Sequence, residues 1–224
     1  MRKTASWSQV AILMAVISAA SGAVGAEPAT EPAKSVRLFD GIVLGKFKAV
    51  EDGEFEAHGE VTVVDGALAL AAGKPATGVR YAGEFPQGEY EIAVEARRAE
   101  GEDFFCGMTF PVGEKGSLTL ILGGWGGWVT GLSCINGRYA IDNDTCSSVK
   151  FENGRWYKVR LRVAGGKVQA WVDDQQIVDF ETADHELAAS EEMQPCAPFG
   201  FATWNTRGEL RNIEVKRLGI EEKP

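Results

Sequence analysis

Glu95 and Arg97 stand two residues apart in a stretch that alternates apolar and polar from Glu89 to Ala96. Extended backbone puts both side chains on one face of a strand. A carboxylate there can take a proton, and a guanidinium can steady the oxyanion that develops. The same two residues serve equally well as cross-strand ion pairs on a solvated sheet, each worth little. Glu102 and Asp103 follow in a turn that can reach the same place, or stay solvated as loop carboxylates.

A surface for a ligand is offered further on, in G-G-W-G-G-W-V-T-G-L-S-C. Trp125 and Trp128 are set among Gly123, Gly124, Gly126, Gly127 and Gly131. Glycine lets the backbone bend sharply or approach a neighbour closely. Each indole adds a broad apolar face with one N–H donor. Such a loop suits stacking on a sugar ring; it suits a packed corner of a β-sandwich as well. Trp204-Asn205, after a strand end, can join the two tryptophans at a loop rim. The expected ligand surface joins the Trp125–Trp128 loop to Glu95, Arg97 and Asp103.

Other chemistries find less material. Only His58 and His185 are present, and no G-x-S-x-G occurs, so a Ser-His-Asp arrangement has little to draw on. Neither a CxxC nor a His pair at ligand spacing occurs, so no redox motif or zinc site is indicated. Asp142-Asn143-Asp144 is rich in oxygen ligands, but it lacks the glycine and distal glutamate of an EF-hand, and an Asx-stabilised turn is the expected role. Four cysteines, Cys106, Cys134, Cys146 and Cys196, allow three pairings. Cys134 and Cys146 flank a short loop containing the turn signal Asn136-Gly137. They are the expected disulfide, with Cys106–Cys196 next and buried free thiols the alternative.

The elements that would position these residues follow an address. Arg2 and Lys3, the apolar run Val10–Ala20 and the small-residue site Val24-Gly25-Ala26 read as a signal peptide over 1–26. The run is too short to span a membrane. The expected product is an exported protein, periplasmic or extracellular, with no membrane attachment after cleavage. A Pro-, Ala- and charge-rich leader covers 27–35, a single folded domain 36–219 and a short tail 220–224. The formal charge is −9, and removal of Arg2 and Lys3 takes it to −11. So acidic a chain, without a basic cluster interleaved with aromatics in sequence, argues against nucleic-acid binding.

Within the domain the hydrophobic period is two almost throughout. Tyr90, Ile92, Val94 and Ala96 alternate with Glu89, Glu91, Ala93 and Glu95, and Tyr157, Val159, Leu161 and Val163 alternate with Trp156, Lys158, Arg160 and Arg162. These are half-buried antiparallel strands. Val61–Val64, Asp65-Gly66 and Ala67–Ala71 predict a hairpin with a type I′ turn. Trp156 and Trp171 fall on the polar side of their strands, where they either line a glycan-binding sheet or cover a second core. Further strands are expected at Phe104–Phe110, Leu118–Leu122, Val129–Cys134, Val168–Val172, Gln176–Phe180, Gly200–Thr203 and Leu210–Leu218. Only Asp184–Met193 has room for a short helix. The pattern predicts an all-β jelly roll, with the Val36–Phe39 and Arg211–Leu218 strands close together in one sheet.

The order of these motifs resembles a known family. V-R-L-F-D-G-I-V-L, V-D-G-A-L, G-E-Y-E-I-A-V-E-A-R, N-G-R-W-Y-K-V-R-L-R-V, V-Q-A-W-V-D-D-Q-Q-I-V and F-G-F-A-T-W-N-T-R-G-E-L-R-N-I-E-V are similar to the secreted domain of unknown function 1080, or 3-keto-disaccharide hydrolase domain. The resemblance covers about Val36 to Leu218. It implies a concanavalin A-like sandwich of two antiparallel sheets and a carbohydrate or glycoside partner. It also implies cleavage of glycosides oxidised at sugar C3, with the family's Glu-x-Arg falling on Glu95-Ala96-Arg97. That reaction needs a base, a donor or divalent metal for the enolate oxygen, and a surface for the ring; no cofactor beyond such an ion is implied. The family's Asn-Ser-Gly is replaced here, with Cys106-Gly107 in place of Ser-Gly and the Asn missing. Glu89, Glu91 and Glu95 do not keep the spacing of a jelly-roll glucanase, and no carboxyl pair of a retaining glycosidase can be picked out. A non-catalytic glycan-binding module and an adhesive exported domain stand as alternatives.

Overall fold

The structure is a computed structural model that describes residues 35–219. The expected signal peptide, all but the last residue of the leader, and the tail lie outside the described residues.

The strands are β1 (Ser35–Arg37), β2 (Phe47–Ala49), β3 (Val61–Val64), β4 (Ala67–Leu70), β5 (Ala76–Tyr81), β6 (Tyr90–Glu100) and β7 (Cys106–Pro111). They continue with β8 (Ser117–Gly123), β9 (Val129–Ser133), β10 (Tyr157–Ala164), β11 (Lys167–Val172), β12 (Gln175–Glu181), β13 (Gly200–Trp204) and β14 (Arg207–Arg217). An eight-stranded sheet runs β12-β11-β10-β6-β14-β4-β3, with β1 also on β14. A six-stranded sheet runs β2-β5-β13-β7-β8-β9. All pairings are antiparallel, so the molecule is the all-β sandwich of two antiparallel sheets that the alternation requires.

The main core lies between the sheets. Ile92, Val94, Val159, Leu161 and Leu210 of one face Val79, Met108, Phe110, Leu120 and Phe201 of the other. Phe199 stacks on Phe85 at 4.3 Å and meets Phe201 edge-on at 5.2 Å. Burying each such ring contributes about 1.5–3 kcal/mol. Val36 pairs with Val215, so the two terminal strands meet as expected. Asp65 (φ 50°) and Gly66 (φ 78°) form the type I′ turn between β3 and β4.

A second, smaller core covers the outer face of the six-stranded sheet, where Phe55, Ile121, Val129, Ala140, Met193, Cys196 and Ala202 meet. Strand β5, which the alternation did not reveal, belongs to this arrangement. Gly78 interrupts its pattern because a Cβ there would lie 2.5 Å from the Phe55 ring and 3.2 Å from Cys196 Sγ.

Two expectations are corrected. Asp184–Met193 is not a helix. Leu187 bridges Ile135, and Cys134 N–H donates to Ala188 C=O, so this stretch is extended and docked against the chain leaving β9. Helical turns appear only at its end, where a 3-10 segment over Glu191–Cys196 takes in Glu191–Met193. The cysteines are also unpaired, Cys134 with Cys146 included. The Thr130–Ser147 bridge runs antiparallel and so sets Cys146 beside Gly131. That is three strand residues, about 10 Å, from Cys134. Cys106 and Cys196 are buried thiols, pushed up to about 12 by desolvation.

Candidate functional site

Asp103, Trp125 and Trp204 come together at a cavity of about 220 Å³ on the outer face of the six-stranded sheet. Phe104 and Ile121 form its apolar floor; Ser133, Tyr139, Ser190, Glu192 and Met193 complete its walls. The floor is set by small residues. A Cβ on Gly107 would stand 3.0 Å from the Phe104 ring, so glycine lets that ring lie against β7. Phe104 then packs on Trp204, centroids 6.1 Å apart. Cys106, at the position where the family has Ser, points the other way, into the main core. The change from the family pattern at that position therefore does not remove a group from the cavity.

The tryptophan loop is held in an unusual conformation. Trp125 lies in the left-handed region (φ 50°, ψ 54°), followed by Gly126 and Gly127, both with positive φ. For an L-residue this costs roughly 1–2 kcal/mol. Asp103 holds the loop there. Its Oδ2 accepts from Gly126 N–H at 3.1 Å and its Oδ1 from Phe104 N–H at 2.7 Å, while Thr206 Oγ1 receives the Asp103 N–H at 3.0 Å. Trp125 meets Tyr139 edge-on at 6.3 Å. It is 37% exposed, and Trp128 is 52% exposed but does not line the cavity. Asn205 (φ 47°) is an exposed turn residue whose N–H donates to Pro75 C=O; it too lies outside the lining.

Beneath the loop sits Arg98, which the sequence did not single out. The residue is 8% exposed. Nε donates to Asn153 Oδ1 at 2.6 Å, one terminal nitrogen to Glu102 C=O at 3.0 Å and the other to Phe151 C=O at 2.8 Å. Gly127 must be glycine beside it, since a Cβ would meet Glu102 O at 2.6 Å and the Arg98 guanidinium at 3.0 Å. One buried guanidinium thus fixes the turn carrying Asp103 and supports the turn carrying Trp125.

The polar pair of the cavity also escaped the sequence. Tyr139 donates its hydroxyl to Glu192, 3.0 Å from Oε1 and 3.3 Å from Oε2. Burial pushes the Glu192 carboxyl up. Hydrogen bonds from its own N–H, from Ser190 and from Tyr139 outweigh that and hold it below the usual range. The Glu192 hydrogen bond raises the Tyr139 phenol, with burial and the glutamate's charge adding to it. Around neutral pH the pair is therefore a neutral phenol beside an ionised carboxylate. Its two members are 53 residues apart on different loops, and no motif links them. The Tyr139 loop is ordered by Asn143. Its Nδ2 donates to the carbonyls of Leu132, Arg138 and Tyr139, and its Oδ1 accepts from Thr145. The Asp142-Asn143-Asp144 motif is an Asx turn. Among the described residues no group of three or more His, Cys, Asp or Glu is placed to hold a metal ion.

Glu95 and Arg97 lie elsewhere, on the outer face of the eight-stranded sheet. Glu95 accepts from Arg211 at 2.7 Å and from Asn212 at 2.9 Å. Burial pushes its carboxyl up, but those bonds and the Arg211 charge hold it below the usual range. Arg97 pairs with Glu209 at 2.6 Å. The expected surface is thus divided: Asp103, Trp125 and Trp204 share the cavity, while Glu95 and Arg97 form ion pairs on the other sheet. Trp156 and Trp171 share that sheet face, but neither presents a free ring. Arg97 and Arg211 lie over Trp156 at 4.6 and 4.1 Å, and Arg160 lies over Trp171 at 3.6 Å.

With this geometry in place, the comparisons with known proteins are informative. The family model of the 3-keto-alpha-glucoside-1,2-lyase-like domain matches residues 34–216. The chain belongs to that family, a class of carbohydrate-active domains. No match was found among curated protein sequences. Among solved structures the chain is similar to a prokaryotic beta-1,3-1,4-glucanase from a mouse hindgut metagenome (TM-score 0.53, 8% identity, 83% of this chain and 99% of that one). It is similar to a glycosyl hydrolase of Parabacteroides distasonis (TM-score 0.50, 12% identity, 83% and 94%). A third similar structure belongs to the endo-acting O-glycanases of the human gut microbiota (TM-score 0.50, 15% identity, 84% and 100%). At these identities the shared property is the fold. No helix among the described residues is long and apolar enough to cross a membrane.

Proposed function

We propose that the cavity binds a 3-keto glycoside and cleaves it by elimination. The observation that carries this reading is the Tyr139–Glu192 pair facing a pocket walled by Trp125, Trp204 and Phe104. Aromatic faces stack on the apolar side of a sugar ring, and the few polar groups orient it. A ketone at C3 acidifies the proton on C2. Ionised Glu192 accepts that proton; its new carboxyl O–H then donates to the Tyr139 oxygen, which frees the Tyr139 hydroxyl proton to donate a hydrogen bond to the enolate oxygen. The C2–H electrons form the C1–C2 double bond as the C1–O bond breaks, and the alcohol leaves with a proton from the pair. Water addition to the product would complete a net hydrolysis.

The test is incubation of the protein with a 3-keto glucoside and its unoxidised parent. Mass spectrometry should find free aglycone and an unsaturated keto sugar from the first only. Tight binding without aglycone release would favour a glycan-binding module. The occupied hydrogen bonds of Asp103 and the ion pairs of Glu95 and Arg97 support that second reading, since they commit three polar groups to structure.

The protein is further proposed to be exported, on the strength of its charged, apolar and small-residue N-terminal pattern. Protein recovered from periplasm or medium should begin at Glu27. Recovery of the full-length chain from cytoplasm alone would defeat this.

A further inference from the structure

The outer face of the eight-stranded sheet gathers charge that the sequence scatters. Lys158, Arg160 and Arg162 alternate along β10 and point outward, spanning about 13 Å. Register places Lys158 beside Glu95 and Arg162 beside Glu91 on β6, then Glu95 beside Arg211 and Arg97 beside Glu209 on β14. Arg207 also reaches Glu209, at 2.9 Å. Across these three strands Lys158, Arg160, Arg162, Arg97, Arg211 and Arg207 face Glu91, Glu95, Glu209 and Glu100, the last 3.8 Å from Arg207. The face is therefore locally positive on a chain of formal charge −9. Its limits are clear: Asp179 and Glu181 flank Lys167 at the β12 edge, and Glu214 is taken by Arg37 at the β1 margin.

The tryptophans restrict what can bind. Guanidiniums 3.6–4.6 Å from the indole centroids cover the rings, so neither a neutral sugar nor a nucleobase can stack on the covered faces. An arginine held in this way offers the edge of a preorganised fork of N–H donors, which matches a carboxylate; in Arg97 and Arg211 that edge is already taken by Glu209 and Glu95. Arg160 gives one nitrogen to Glu91 at 3.2 Å, and its other donors are open to a ligand. Lys158 and Arg162 are exposed.

We propose that this face is a binding surface for an acidic, carboxylate-bearing polysaccharide, separate from the cavity on the other sheet. A uronate chain lying along β10 would set its carboxylates against Lys158, Arg160 and Arg162. The surface would hold the domain on an anionic matrix while leaving the cavity open. It does not depend on the cavity being catalytic.

The experiment measures binding of the full chain to a fluorescein-labelled oligogalacturonate, a neutral maltooligosaccharide of equal length and a single-stranded DNA oligomer, at low and at physiological salt. The variant is Lys158→Glu/Arg162→Glu, which changes two exposed side chains and leaves both covered tryptophans intact. The acidic sugar should bind, weaken on raising salt as screening predicts, and lose at least about tenfold in affinity in the variant (about 1.4 kcal/mol). Cleavage or binding of a 3-keto glucoside at the cavity should be the same in both proteins. Failure to bind the acidic sugar, equal binding of the neutral one, equal or tighter binding of DNA, or an unchanged affinity in a folded variant would each overturn the assignment.

Discussion

Tyr139→Phe is expected to lower turnover of a 3-keto glycoside by about 10²–10⁴-fold, the usual range for a positioned proton donor or acceptor. The protein should stay folded, because the hydroxyl lies at the cavity and its ring contact with Trp125 survives the change. Glycoside binding should change by less than about tenfold, since the stacking rings are intact. The pH profile separates a chemical role from a structural one. The working state has Glu192 ionised and Tyr139 protonated. Turnover should be lost as pH falls through the lowered Glu192 value and again as it rises through the raised Tyr139 value. Removing the hydroxyl takes away one of the hydrogen bonds that hold Glu192 down. The acid limb of Tyr139→Phe should therefore move to higher pH, and the alkaline limb should disappear. Glu192→Gln should abolish the acid limb and, with the glutamate's hydrogen bond and charge gone, move the alkaline limb to lower pH. A folded Tyr139→Phe protein with normal turnover, or with slower turnover and an unmoved acid limb, would show that the pair is not the proton-handling unit.

The largest loss of stability among the site residues is expected from Arg98→Ala. The change leaves Phe151 C=O without its donor in a buried setting, and Glu102 C=O and Asn153 Oδ1 without theirs in a partly buried one. Leaving buried acceptors unmade costs about 1–3 kcal/mol each, offset in part because the desolvated charge itself is gone. A net loss of about 3 kcal/mol corresponds to a fall in Tm of roughly 6–12 °C for a domain of this size. Arg98→Lys should recover little, since one ammonium cannot replace a planar fork that reaches three separate acceptors. The functional consequence follows from position. Asp103 and Trp125 rest on the turns that Arg98 joins, so the folded fraction of either variant should bind glycoside more weakly. A melting temperature within a degree of the parent, with unchanged binding, would mean that the loops are held by Asp103 and the glycines alone.

The two sheets were legible from sequence because a strand buried on one face must alternate, and β6 and β10 do so without interruption. The β3–β4 hairpin was legible because Asp-Gly is the turn chemistry a type I′ geometry needs. Strand β5 was hidden by Gly78, whose reason is a ring from elsewhere in the chain. Asp184–Met193 was misread because its extended form depends on docking against Cys134 and Ile135, a tertiary contact with no local signal. The disulfide expectation rested on loop length, whereas the register around Thr130 decides which residues meet.

The site divides in the same way. Glycine spacing around Trp125 announced a bent loop, and the structure gives that loop left-handed residues and an Asp103 clip. Glu95 and Arg97 were placed correctly on one strand face, but a strand has two faces and only the packing of the sheets decides which one meets the main core. Their face turned out to be opposite the cavity's side of the sandwich. Tyr139 and Glu192 had no signature, because a hydrogen bond between two loops 53 residues apart depends on where the sheet beneath them delivers each loop. Sequence alone therefore determined the period, the turns, the family and the presence of an aromatic loop, all local or cumulative properties of the chain. Which polar groups converge on one cavity, and which are used up in ion pairs, was decided only when the two sheets closed, because burial and register are properties of pairs of segments.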